Sequence, residues 1–158
     1  MKHPFLIILI VFIFLKSFAS FGKIISVPAS INFQNNRNTD AMSNKIRIKI
    51  GSSSFTATLS DNPTSATFKT LLPVTINMIE LNGNEKYFNL SRNLPSNSTN
   101  PSKIQTGDLM MFGENTLVLF YKTFSTSYNY TSIGRIENAA GLAAALGKGN
   151  VTVTFEIQ

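Results

Sequence analysis

With 158 residues, 43% of them hydrophobic and only 14% charged, the chain has the size and composition of one globular domain, not of a disordered or multidomain protein. It contains no cysteine and a single histidine, His3, which excludes disulfides, thiolate catalysis and zinc–thiolate sites and leaves no imidazole beyond residue 3 for a triad or a metal. Its 14 Lys and Arg outnumber 8 Asp and Glu, yet the densest basic group, Lys45, Arg47 and Lys49, only alternates along one segment. That argues for a mildly basic surface and against a nucleic-acid partner.

Residues 1–19 have the three parts of a secretory signal peptide. Lys2 and His3 give the positive start, residues 5–15 an unbroken apolar run, and Ser17-Phe18-Ala19 the small residues that signal peptidase reads. Even extended past Lys16 to Phe21, the apolar run falls short of the roughly 20 residues that span a bilayer. Without a cysteine after the run, a lipoprotein anchor is impossible. The expectation is cleavage after Ala19 and export to the periplasm or beyond, which removes Lys2 and Lys16 and leaves 12 basic against 8 acidic residues. A retained anchor and a cytosolic start at Met42 are the alternatives.

Residues 20–44 read as a linker, with Pro28 and an Asn-rich stretch at 32–38, although Val27, Ile31 and Phe33 leave room for a short edge strand. The domain itself is expected over residues 45–158. Ile46, Ile48 and Ile50 alternate with Lys45, Arg47 and Lys49, and Phe55, Ala57 and Leu59 repeat the period beyond Gly51-Ser52-Ser53, so the pair predicts a hairpin. Asp61 or Asn62 can cap a short helix with Pro63 in its first turn, buried through Phe68, Leu71 and Leu72 and stopped by Pro73. Strands follow at 74–81 and 86–90 around the tight-turn dipeptide Asn82-Gly83. A long loop with Pro95 and Pro101 fills 91–106, and apolar strands are expected at 109–112 and 116–121. Residues 122–132 are polar and aromatic, 133–136 a short strand, 139–146 an Ala-rich helix closed by Gly147, and 151–157 a last alternating strand. The fold class is therefore mainly β: a closed or nearly closed barrel with two short helices.

That order of elements resembles the cyclophilin fold. The segment Ile133-Gly134-Arg135-Ile136-Glu137-Asn138 is similar to the cyclophilin strand that enters the last helix. Asp61-Asn62-Pro63, Leu81-Asn82-Gly83-Asn84-Glu85-Lys86-Tyr87, Gly107-Asp108-Leu109-Met110 and Leu119-Phe120-Tyr121-Lys122 resemble small bacterial cyclophilin-like proteins, single domains with no settled activity. The resemblance covers about residues 45–157 and implies a cyclophilin-like barrel. Prolyl isomerases of that family carry an arginine in a Phe-His-Arg motif, whose guanidinium binds the twisting prolyl amide. The corresponding region here, Glu85-Lys86-Tyr87-Phe88-Asn89-Leu90, has neither His nor Arg, and the family's tryptophan is missing. Arg92 is the nearest guanidinium and the one isomerase candidate.

Among other side chains, Phe112 and Phe120 read as strand core, and Asp108 as a turn residue held by local hydrogen bonds. Aromatics in a polar segment are harder to place in a core, so Tyr121, Phe124, Tyr128 and Tyr130 are the candidate ligand-binding residues. The acidic residues are scattered, without calcium-loop spacing or a marked carboxylate dyad, so no metal and no cofactor is expected. The expected function is an exported, non-catalytic module that binds a peptide or a small molecule. The alternatives are an isomerase with an altered site and a structural or assembly role, in which those aromatics bury against the loop around Pro95 and Pro101.

Overall fold

The computed structural model describes residues 43–158. The expected signal peptide, the linker up to residue 42 and its Val27–Phe33 edge strand lie outside the described residues. The elements run in chain order β1 (Lys45–Ile50), β2 (Ser53–Leu59), α1 (Pro63–Lys69), β3 (Val74–Leu81), β4 (Glu85–Asn89), β5 (Lys103–Ile104), β6 (Asp108–Phe112), β7 (Thr116–Phe120), β8 (Phe124–Ser125), β9 (Thr131–Ile136), α2 (Leu142–Leu146) and β10 (Val151–Ile157).

Eight strands close a barrel in the order β1-β10-β3-β4-β7-β6-β9-β2, every neighbouring pair antiparallel. Its seam is β1 against β10, from Ile46 opposite Ile157 to Ile50 opposite Val153. Period-two alternation decides which side chains enter the interior. Ile46, Ile48 and Ile50 of β1, Ile76 and Met78 of β3, Leu109 and Met111 of β6, Leu117 and Leu119 of β7, and Val153 and Phe155 of β10 share one buried core. A barrel of this strand number is just wide enough for side chains to fill.

Both helices pack apolar residues into that core. Asn62, not Asp61, caps α1 by accepting a hydrogen bond from Ser65 N at 2.8 Å, and Phe68 meets Phe155 edge-on with centroids 5.7 Å apart. Helix α2 is shorter than the expected 139–146. Asn138 draws Ala140 N onto its side-chain oxygen at 3.0 Å, and Gly141 adopts φ +81°, a conformation no helix interior accommodates. The five residues that remain bury Leu142 and Leu146.

Two local features fix the strands that matter for the site. Asn82 and Gly83 both have positive φ, 56° and 68°, in the three-residue turn that joins β3 to β4 between the paired Leu81 and Glu85. At Gly134 on β9 an added Cβ would lie 2.5 Å from the Thr58 carbonyl oxygen of β2, so only glycine lets those strands approach so closely.

One more feature departs from the sequence reading. The long loop and the aromatic segment are not structureless, because Lys103–Ile104 and Phe124–Ser125 pair as a separate two-stranded ribbon, β5 with β8. Two-residue strands carry no periodicity to detect. Lys86 is fully buried, an uncommon place for a lysine.

Candidate functional site

Strands β6 and β7 are buried on both faces, and their second face is the basis of the site. While Leu117 and Leu119 enter the barrel, Val118 and Phe120 point outward, joined by Met110 from β6. Across them the β5–β8 ribbon lays Ile104 and Phe124, and Tyr130 at the foot of β9 packs alongside. Phe120 is the hub, with ring centroids 5.7 Å from Phe124 and 5.5 Å from Tyr130.

This outer layer covers only part of the sheet. On β4 the alternation that buries Lys86 turns Glu85, Tyr87 and Asn89 outward. The register places them opposite Phe120, Val118 and Thr116 of β7, and β6 extends two of those rows with Met110 opposite Val118 and Phe112 opposite Thr116. The uncovered strip is a groove of about 450 Å³. Leu81, Asn82 and Asn84 of the β3–β4 turn border it at one end, beside Glu85. Phe124, Tyr128 and Tyr130 form the wall opposite β4. Tyr128 is 64% exposed and Phe112 45%, and their rings meet edge-on with centroids 6.1 Å apart. From the Glu85 row to the Asn89–Phe112 row, four residues along a strand, is about 13 Å.

Of the four aromatics expected to bind a ligand, the structure brings three together. Tyr130 is buried as a supporting wall and its backbone pairs with Thr99 of the long loop. Phe124 is half-buried on Phe120, and Tyr128 stands free at the rim. Tyr121 lies elsewhere. It is buried in the barrel core, its hydroxyl donates to Glu80 Oε1 at 2.8 Å, and its ring receives the Lys86 ammonium 5.4 Å from its centroid. Burial first, then the bond to Glu80, pushes the Tyr121 hydroxyl up to about 12. Arg92 is exposed and donates from Nη2 to Thr70 Oγ1 at 3.3 Å, just past α1, and is not part of the groove. Phe112, expected in the core, sits on the outer face because Leu109 and Met111 take the inner one. Asp108 keeps its turn role, accepting from Gln105 N at 2.8 Å, and is also buried against the Arg135 guanidinium.

Sequence reasoning missed Asn84, Glu85 and Tyr87. For Glu85 and Tyr87 the signal was present, since a strand that turns Phe88 toward the core must turn them to the other face. What the sequence did not show is that this second face would be half-roofed by a distant aromatic ribbon.

The electrostatics of the groove are one-sided. Its lining contains no Lys, Arg or His, and its one charged group is Glu85. Burial first, then the nearby Glu80 charge, raises the Glu85 carboxyl above its ordinary value of 4.5. Tyr130 is raised as well, by burial and next by Glu85. Behind the groove, Lys86 Nζ donates to Glu80 Oε2 and to the carbonyl oxygens of Gly147 at 2.9 Å and Gly149 at 2.6 Å.

The comparisons agree with this architecture. The solution structure of a hypothetical protein from Archaeoglobus fulgidus, 19% identical, superimposes with a TM-score of 0.52 over 73% of this chain and 95% of that one. At that identity the likeness concerns the fold alone. No curated protein matches the sequence. The family model described as the cyclophilin-like family matches residues 48–156, nearly the whole barrel, and the chain therefore belongs to the cyclophilin-like family.

Proposed function

We propose that this cyclophilin-like domain is an exported binding module that holds a peptide segment or a small ligand in the outer groove and does not catalyse a reaction on it. The observation that carries the reading is the pair Phe112 and Tyr128. Two large rings stand exposed at the rim of a groove whose floor is buried strand. Exposed aromatic area on a rigid scaffold is what recognition surfaces offer, and the groove's volume is within the range of ligand sites. The lack of catalysis is supported by a lining without arginine or histidine, and by Arg92 being engaged with Thr70. Export is supported by the sequence of residues 1–19.

The test is a titration of the labelled domain with a panel of blocked tripeptides, proline-containing ones included, followed by amide chemical shifts. Some members should move the amides of β4, β6 and residues 124–130. A Phe112→Ser, Tyr128→Ala double variant should abolish those changes while melting within a few degrees of the parent. If no member of the panel moves those amides, or if the double variant fails to fold, the reading is wrong. A protease-coupled isomerase assay should show no acceleration, and N-terminal sequencing from the native host should begin at Ser20. A soluble cytoplasmic protein that retains Met1 would refute export.

A further inference from the structure

The groove's chemistry selects among ligands. At the Glu85 end the groove's one charge is negative, and the neighbouring Asn84 leaves an acceptor bare. Among the described residues the ion pairs join Lys45 to Glu137, Lys49 to Glu156, Lys86 to Glu80 and Arg135 to Asp108, so Glu85 has no cationic partner. Beside it the side-chain oxygen of Asn84 is buried and accepts no hydrogen bond from the described residues. An acceptor left bare in a half-buried place costs free energy until a donor arrives. The surrounding rings present faces of negative potential, which attract cations and repel anions.

We propose that the groove is a receptor for an organic cation, a guanidinium or ammonium group seated between the Glu85 carboxylate and the rings of Tyr87 and Tyr130. This rests on the groove being a binding site at all. Proximity supports the arrangement: Glu85 lies opposite Phe120, on which Tyr130 packs, and Tyr87 is the next outward residue of β4. An apolar ligand would remove more water from a carboxylate that has no partner, and an anion would meet like charge. A cation supplies the counter-charge that Glu85 lacks. The neighbouring carboxylate, Glu80 on β3, is already matched by Lys86 and Tyr121, so Glu85 is the group left to be matched. The groove's length of about 13 Å accommodates an extended chain of about four residues, so a basic peptide side chain and a free amine share this chemistry.

The experiment compares a blocked Gly-Arg-Gly peptide with its citrulline isostere, which has the same shape without the charge, and with phenethylammonium as a free amine. Calorimetry and groove amide shifts are the readouts. The arginine peptide should bind at least tenfold more tightly than the citrulline peptide. Glu85→Gln should erase that preference while leaving the fold intact, and added salt should weaken the two cations and spare the citrulline peptide. Tighter binding by phenethylammonium than by the arginine peptide would assign the site to free amines, and the reverse to basic peptides; either supports a cation. Equal binding of the arginine and citrulline peptides, or a preference that survives Glu85→Gln, overturns the proposal while the groove still stands as a site. Failure of all three probes, where neutral peptides do shift the groove amides, also overturns it. Silence of the groove toward every probe overturns the binding reading itself.

Discussion

Glu85 and Lys86 are neighbours on one strand, and the two faces of that strand treat them in opposite ways. Lys86 points inward, is wholly buried, and has three oxygen acceptors and an aromatic ring around its ammonium. Glu85 points outward, is half-open, and has no partner among the described residues. A buried charge survives only when matched, so the inner one is a structural tie between β4, β3 and the chain just after α2. The outer one has no such structural work, and an unmatched charge at one end of an aromatic groove is a mark of recognition. Burial alone would have pointed to Lys86 as the unusual residue. Counting partners points to Glu85.

Lys86→Met breaks the comparison on its structural side and should have the largest effect. It strands Glu80 and the Gly147 and Gly149 carbonyls, and should destabilise the domain by about 3 kcal/mol, at the low end for a broken buried pair because Glu80 reaches some solvent. Thermal unfolding should show a fall on the order of 10 °C. A drop smaller than about 3 °C would mean that the ammonium ties nothing together.

Tyr128→Ala probes the outer face and should cost no more than about 0.5 kcal/mol, since the ring is mostly exposed and loses only its edge contact with Phe112. Urea unfolding checks it. A loss approaching that of Lys86→Met would make the rim part of the core and would remove the ground for a site there.

Glu85→Gln sharpens the contrast most finely, because its effect is small and opposite in sign. A carboxyl raised in the folded state binds more protons folded than unfolded, so its ionisation costs stability as pH rises from the ordinary 4.5 through the raised value. The variant should therefore melt slightly above the parent at pH 7, and the difference should vanish in acid below 4.5. Of the titratable groups around Glu85, Glu80 alone bears on that window. For Glu80, burial is outweighed by bonds from Lys86, Tyr121 and the backbone of Gly83, which hold its carboxyl low. It therefore acts in the opposite sense and at lower pH. Tyr121 and Tyr130 are raised and ionise far above the window. A parent that melts above the variant at pH 7 would show that Glu85 has a partner after all.

Most of the barrel was legible because its strands alternate cleanly. The 45–50, 74–81 and 151–157 segments begin and end where the periodicity places them. Helix α2 started late because Gly141 broke a run that composition alone made continuous. The site was legible in part. Phe124, Tyr128 and Tyr130 were out of place in a polar segment and do reach the groove, whereas Tyr121, one residue past β7, is carried into the core instead. Glu85 and Tyr87 went unnoticed because a period of two says which residues share a face but not what will cover it. The cover comes from β8, nearly forty residues further along.

The seam between β1 and β10 has a consequence for how the barrel is assembled. The tenth strand lies between the first and the third, so both wait with bare N–H and C=O edges until it docks. Pairings across about a hundred residues form slowly. Without β10 the sheet would be open, with β1 and β3 as its two bare borders, the first carrying Ile46, Ile48 and Ile50. Lys49 meets its partner Glu156 only when β10 docks, and until then it sets a bare positive charge on that border, the kind of residue by which edge strands resist pairing between chains.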